Sequence, residues 1–202
     1  MDDLATFDGV LEPEGDYDRL RFENTDLSGQ HAEHARFIEC AFVSCNLDDA
    51  HLDHSLVLET TVTAATAGTL ALPDATLQDV TFSDCRVGAL VAHGSRLTRV
   101  VVRGGKLDYV NLRGSHLDDV QLVGCVIGDL DLAGATVKRL VVQDCRVDQL
   151  GLTHATLSAT DLRGAELSRI SGLAGLAGTT ISSEQLHDLA PALAAHLRIT
   201  VE

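Results

Sequence analysis

The chain has 202 residues, 45% of them apolar but only seven aromatic, and a formal net charge of −15. That composition supports a core of aliphatic side chains, and the acidity excludes direct binding of nucleic acid, whose phosphates it would repel, while suiting basic protein partners or a DNA-binding surface to be occupied. With no apolar stretch long enough to span a membrane, no basic-then-apolar leader, and five Cys without CxxC spacing, a cytoplasmic protein with reduced thiols and no membrane association is expected.

Residues 1–19 form an acidic leader carrying Asp2, Asp3, Asp8, Glu12, Glu14, Asp16 and Asp18, expected as an irregular or short-strand N-terminal cap. The acidity extends beyond it: residues 1–60 hold 15 acids and 3 bases, whereas residues 61–120 hold 6 of each.

Residues 20–170 follow a single rule. An apolar residue recurs at every fifth position from Phe22 through Leu27, Ala32 and Phe37 to Leu162 and Leu167, without a change of register. A period of five fits neither the 3.6 of a helix nor the 2 of a strand; it marks a short unit repeated and stacked into a solenoid. Two residues before each central position, small and large residues alternate from Ala75 to Ala155. Glycine precedes the small member at Gly94, Gly104, Gly114, Gly124, Gly134 and Gly164, where it supplies a positive φ, so alternate corners are expected to use different turns.

Residues 171–202 leave the repeat. Ser171–Thr180 reads as a turn region, and Ser182-Ser183-Glu184-Gln185 has the spacing of a capping box. Leu186, Leu189, Leu193 and Leu197 then fall on one helical face, which must cap the rod or contact a second copy. Pro191 is expected to kink this helix or start another, and Arg198–Val201 to form a closing strand.

Units such as Thr25-Asp26-Leu27-Ser28-Gly29, Cys45-Asn46-Leu47-Asp48-Asp49, Val110-Asn111-Leu112-Arg113-Gly114, Leu130-Asp131-Leu132-Ala133-Gly134 and Thr160-Asp161-Leu162-Arg163-Gly164 resemble the A(D/N)LXX consensus of the pentapeptide-repeat family. The resemblance implies an all-β fold, a right-handed quadrilateral β-helix, with four pentapeptides to a coil of 20 residues and a C-terminal α-helical cap or dimerisation segment. At about 4.8 Å per coil the rod is roughly 36 Å long. It also implies columns: Phe22, Phe42 and Phe82 align inside with Val62, and Cys45, Cys85, Cys125 and Cys145 align as small core residues whose parallel side chains disfavour a bridge. Ala67 underfills its coil, and a weak point is expected there.

Three outward constellations are candidates. His31, His34, His51 and His54, with Glu33 and Asp53 between them, stack on neighbouring coils and suit zinc or nickel, or a pH-responsive patch. Asp26, Asp48, Asp49, Asp108, Asp129, Asp148 and Glu166 lie on one face, where carboxylates imitating DNA phosphates would bind a protein partner; Arg86, Lys106, Arg146 and Arg169 interrupt them. Val43, Val101, Val123 and Val141 form an apolar set on one face, and Ile38, Leu56 and Leu58 another, either strand-favouring or a partner surface.

No nucleophile elbow, phosphate-binding loop or spaced Cys/His motif is present, so neither catalysis nor a cofactor is expected. The expected function is a non-catalytic, rod-shaped protein-interaction module. By resemblance to the Qnr-like, gyrase-interacting branch, its most concrete form is a homodimeric DNA mimic that binds DNA gyrase or a related topoisomerase, with a role in drug or toxin resistance. The alternatives are a metal- or pH-responsive module on the histidine face and a purely structural spacer. Qnr-like proteins often carry loops that interrupt the coils, and the unbroken register here leaves no room for them.

Overall fold

The computed structural model describes residues 4–200. Between the two ends of the rod, strands pair in parallel with those 20 residues further on: Arg36 with Leu56, Leu56 with Thr76, Thr76 with Arg96, Arg96 with His116, His116 with Thr136, and Thr136 with Thr156. A constant offset of one coil makes the chain a stacked quadrilateral β-helix, a parallel solenoid of about eight turns with one C-terminal helix. The ladder already includes Asp16–Asp18, which pairs with Arg36–Ile38 inside the acidic leader. It ends irregularly, with register shifts between Val141 and Cys145.

The fifth-position residues fill the interior. All are buried except Phe82, Val102 and Leu167, which are half-buried against the same core. The aromatic rings collect at the N-terminal end, where Phe22 stacks on Phe42 at 4.3 Å and Tyr17 on Phe37 at 4.9 Å. Phe7 closes that end, with its ring 4.4 Å from Phe22. The Tyr17 hydroxyl accepts the Glu12 amide at 2.7 Å, tying the leader down. An unpaired coil end is thus covered by rings and by a short strand, Ala5–Thr6, paired to Leu20–Arg21.

The small interior column explains the cysteines. Ser95 and Ser115 donate to the carbonyls of Leu72 and Ala92, 23 residues earlier, at 2.7 and 2.9 Å. Cys40, Cys45, Cys85 and Cys125 make the same contact to Tyr17, Phe22, Val62 and Val102. All five thiols are free and buried, and burial pushes those of Cys40, Cys45 and Cys85 up.

The corners differ from the sequence expectation. The residue two after each central one is left-handed at most corners whether or not it is glycine, as at Asn24 (φ 51), His34 (φ 60), Asp79 (φ 56) and Arg99 (φ 52). Each such amide donates to the next coil, Asn24 to Val43 and His34 to Asp53, which offsets the cost of the conformation. Turn type therefore does not alternate every ten residues; it changes at one corner in four. At that corner Gly29 and Asp49 are left-handed, but Thr69, Ala89, Tyr109, Asp129 and Gln149 are not, and the chain runs straight through as Thr66–Ala71, Arg86–Val91, Lys106–Asn111 and Val126–Asp131. Gly164 also departs: it sits in the continuous strand Thr160–Ser171, at the register shift, without a positive φ.

The change of corner falls at the expected weak point. Beside Ala67 lies an internal cavity of about 30 Å³, lined in part by Leu47, Val62, Leu70, Phe82 and Val87.

After the last coil, a 3-10 turn at Leu173–Leu176 and the short strand Thr179–Thr180 cover the end, with Leu176 and Ile181 against the core. Helix α1, Ser183–His196, begins with the expected capping box. Gln185 serves twice: its Oε1 accepts the Ser182 amide, and its Nε2 donates to the orphan carbonyls of Leu162 and Ala165 at 2.6 and 2.7 Å, pinning the helix start to the rod. Two expectations are corrected here. Pro191 does not start a second helix: it lies inside the single helix Ser183–His196, where the acceptor it leaves free belongs to exposed His187. Arg198–Thr200 is not a strand; Arg198 is left-handed (φ 56), and the amides of Arg198 and Ile199 bond back to Ala195 and Ala194, a helix-ending turn. Val201 lies outside the described residues.

Candidate functional site

A filled rod places its chemistry on the outside, at positions that the repeat leaves polar. The histidines form two separate ladders rather than one site. His31 and His51 precede buried Ala32 and Leu52 and stack at 4.8 Å with 3° between ring planes. His34 and His54 occupy left-handed corners and stack on each other at 4.9 Å and 6°. The three-residue offset that the sequence groups together spans a corner, so the four imidazoles do not converge.

What does converge is Glu33, His51 and Asp53, whose ligand atoms lie within 4.8 Å of one another. His31 Nδ1 meets Glu33 Oε1 at 2.7 Å. This contact raises the His31 pKa and, together with the backbone, lowers that of Glu33. Asp49 stands 3.6 Å from His51 Nε2. Asp53 Oδ1 is buried without a hydrogen-bond partner. The carboxylates were visible in sequence as the middle residues of His31–His34 and His51–His54, and their shared repeat position was the signal that paired them.

The acidic face is largely engaged with itself. Asp26 Oδ1 accepts from Ser28 N and Asn46 Nδ2; the Ser28 side chain, then its amide, and least Asn46 hold the carboxyl below the ordinary range. Asp48 Oδ1 accepts the amides of Gly68 and Thr69. Asp108 pairs with Lys106 at 2.7 Å and Asp148 with Arg146 at 2.9 Å. Asp129 accepts from Gln149, and burial with nearby Asp131 raises its pKa. Glu166 sits in ladder register with Arg146, and the Asp49 side chain is 73% exposed. An open depression of about 610 Å³ interrupts the same face, lined by Ala67, Arg86, Gly88, Gly105, Lys106 and Asp108. This face is a mixed surface and not a column of free negative charge.

The apolar outward positions Val43, Val101, Val123, Val141, Ile38, Leu56 and Leu58 are all half-buried by neighbouring strands. On α1, Leu186 is 51% exposed and Leu197 65%, while Leu189 and Leu193 are half-buried. Among the described residues, no helix is long and apolar enough to cross a membrane.

Residues 35–112 match the family model described as a pentapeptide repeat region. The chain resembles the pentapeptide-repeat family. Comparison with curated protein sequences gives no match. Among solved structures, a trypsin-treated variant of QnrB1, a plasmid-mediated fluoroquinolone resistance protein, is 18% identical with a TM-score of 0.38, over 98% of this chain and 95% of that one. Full-length QnrB1 is 14% identical with a TM-score of 0.31, over 86% and 99%. HetL, a pentapeptide repeat protein involved in heterocyst differentiation regulation from the cyanobacterium Nostoc sp. strain PCC 7120, is 16% identical with a TM-score of 0.28, over 85% and 91%. At these identities and scores the likenesses carry nothing about what this chain binds.

Proposed function

We propose that this chain is a non-catalytic, cytoplasmic rod that works by presenting its outer faces to a protein partner. The observation that carries this reading is the filled interior. Among the described residues the three internal spaces are about 30, 30 and 10 Å³, far too small for a substrate, and the larger depressions, about 610 Å³ beside Arg86 and Lys106 and about 370 Å³ between Arg163–Ser168 and the start of α1, are open to solvent.

The most concrete form of this reading is a DNA-mimicking binder of DNA gyrase or a related topoisomerase, with a role in drug or toxin resistance. Its support is charge and shape: an extended rod of net charge −15 whose first 60 residues carry 15 acids against 3 bases. The acidic end therefore serves as the docking region, and Asp26, Asp48, Asp49, Asp108, Asp129, Asp148 and Glu166 add carboxylates along a face of mixed charge that Lys106 and Arg146 share. Two copies join through α1, where Leu186, Leu189, Leu193 and Leu197 present an apolar stripe to the partner copy.

The test is a gyrase supercoiling assay with purified protein, paired with drug susceptibility of cells expressing it. Inhibition at micromolar protein that weakens as salt rises supports the reading. No effect at that concentration removes gyrase, and a pull-down from the native host then identifies the partner.

A further inference from the structure

Glu33, His51 and Asp53 come from two successive coils at the same corner of the rod, near its acidic end. Glu33 and Asp53 occupy equivalent repeat positions, so the stacking that builds the fold forces one carboxylate over the other at about the coil spacing of 4.8 Å. Two carboxylates held so close favour a positive charge beside them, which His31 supplies in part at Glu33 and a cation between the two would supply to both. His51 adds an imidazole to the pair, and the three ligand atoms already fall within 4.8 Å of one another. Asp53 Oδ1 makes an independent demand: it is shut off from solvent and no donor reaches it, a costly state for a carboxylate oxygen.

We propose that Glu33, His51 and Asp53 form a binding site for a divalent first-row transition ion of the zinc class. One imidazole and two carboxylates are a donor set suited to zinc or nickel, and the imidazole favours these over magnesium or calcium, which prefer oxygen alone. Bonds of about 2.0–2.2 Å require the three side chains to draw together by small rotations, which their outward, half-exposed positions allow. Water completes the coordination on the open side. His31 is a positioning residue here: its Nδ1 holds Glu33 Oε1 at 2.7 Å and aims that carboxylate toward His51. His34 and His54 stack on each other outside the group and take no part. The site does not depend on the docking function proposed above.

The test uses the full chain with any affinity tag removed, titrated with zinc chloride by calorimetry and checked by elemental analysis after dialysis. One zinc per chain is expected. His51→Gln and Asp53→Asn each weaken binding at least about tenfold, and His31→Gln weakens it by about tenfold through Glu33. The double variant His34→Gln/His54→Gln binds as the parent does. All these side chains point outward, and unchanged circular dichroism confirms folding. X-ray absorption of the zinc-loaded protein shows one imidazole and otherwise oxygen neighbours. The proposal is overturned if the parent binds no zinc, if His51→Gln and Asp53→Asn leave binding unchanged, or if binding is lost with His34 and His54.

Discussion

Asp48 reaches one coil up the rod to the backbone of Gly68, accepting its amide at 2.7 Å and the neighbouring Thr69 amide at 3.0 Å with a single oxygen. The contact marks where the corner changes from left-handed, at Asp49, to extended, at Thr69. A left-handed corner sends its own amide to the coil above, as Asp49 does to the Thr69 carbonyl at 2.7 Å; the amides on the extended side find the Asp48 carboxylate instead. Asp48→Ala should destabilise the chain by about 1 kcal/mol, since it removes a charged acceptor from two amides at an exposed site. Hydrogen exchange at Gly68 and Thr69 should accelerate before exchange elsewhere; uniform acceleration would show the corner has no local role.

The cavity beside Ala67 gives a prediction of the opposite sign. Leu47 and Val87 occupy the same column one coil to either side, so a branched side chain suits the site. Ala67→Val should stabilise the protein by about 0.5–1 kcal/mol and raise the midpoint of thermal unfolding by a few degrees. A loss of stability would mean that the cavity is too narrow for two added methyl groups.

Two buried serines in the same column should respond differently. Ser95 Oγ donates to the Leu72 carbonyl and accepts the Ala75 amide at 3.0 Å, whereas Ser55 Oγ is buried without a partner. Ser95→Ala should cost about 1–2 kcal/mol, while Ser55→Ala should be neutral or stabilising, because it removes an unsatisfied hydroxyl. Equal losses in chemical denaturation would contradict the pairing seen here.

Asp161 supplies a pH prediction. Arg163 grips its carboxylate through Nε and Nη2, and the Arg163 amide adds a third bond, which holds the Asp161 pKa at about 2 against an ordinary 3.8. A carboxylate depressed on folding contributes stability that is present above its ordinary pKa and is lost as pH falls from 3.8 toward about 2. The stability of the parent over Asp161→Asn should therefore shrink across that window and not above it. The pair is about one-third exposed on the Asp161 side, so the effect is small and screened by salt.

The apolar stripe of α1 predicts an assembly. Because Leu186 and Leu197 are exposed in the single chain, Leu186→Ser with Leu197→Ser should leave the circular dichroism of the folded chain unchanged yet convert dimer to monomer in light scattering. A parent chain that is monomeric at tens of micromolar would end the dimer reading.

How much of this was legible in sequence depends on which side of the coil a residue faces. The interior was legible residue by residue: the column from Phe22 to Leu167 is apolar because each coil offers the same inward slot, and the small column takes Ser, Thr, Cys or Ala because its slot is narrow, with several of the hydroxyls and thiols meeting a carbonyl. The capping box at Ser182 was legible because it is a contact within four residues. The histidine site was half legible. The spacing of His31 and His51 foretold their stacking, but the three residues to His34 cross a corner, and only the path of the backbone there separates the two ladders. Phe7 as an end plug, and Gln185 as the tie between helix and rod, carry no periodic signal at all.

The five-residue rhythm alone determined that the chain stacks, what lies inside, and which positions meet water, because burial of one side chain per unit repeats the same free-energy gain along the whole rod. Tertiary structure decided the rest: which corner straightens after Asp49, which outward groups converge on His51, and whether the helix leucines are covered. Those outcomes depend on the handful of backbone angles at each corner and chain end, where no repeated burial selects one conformation over its neighbours.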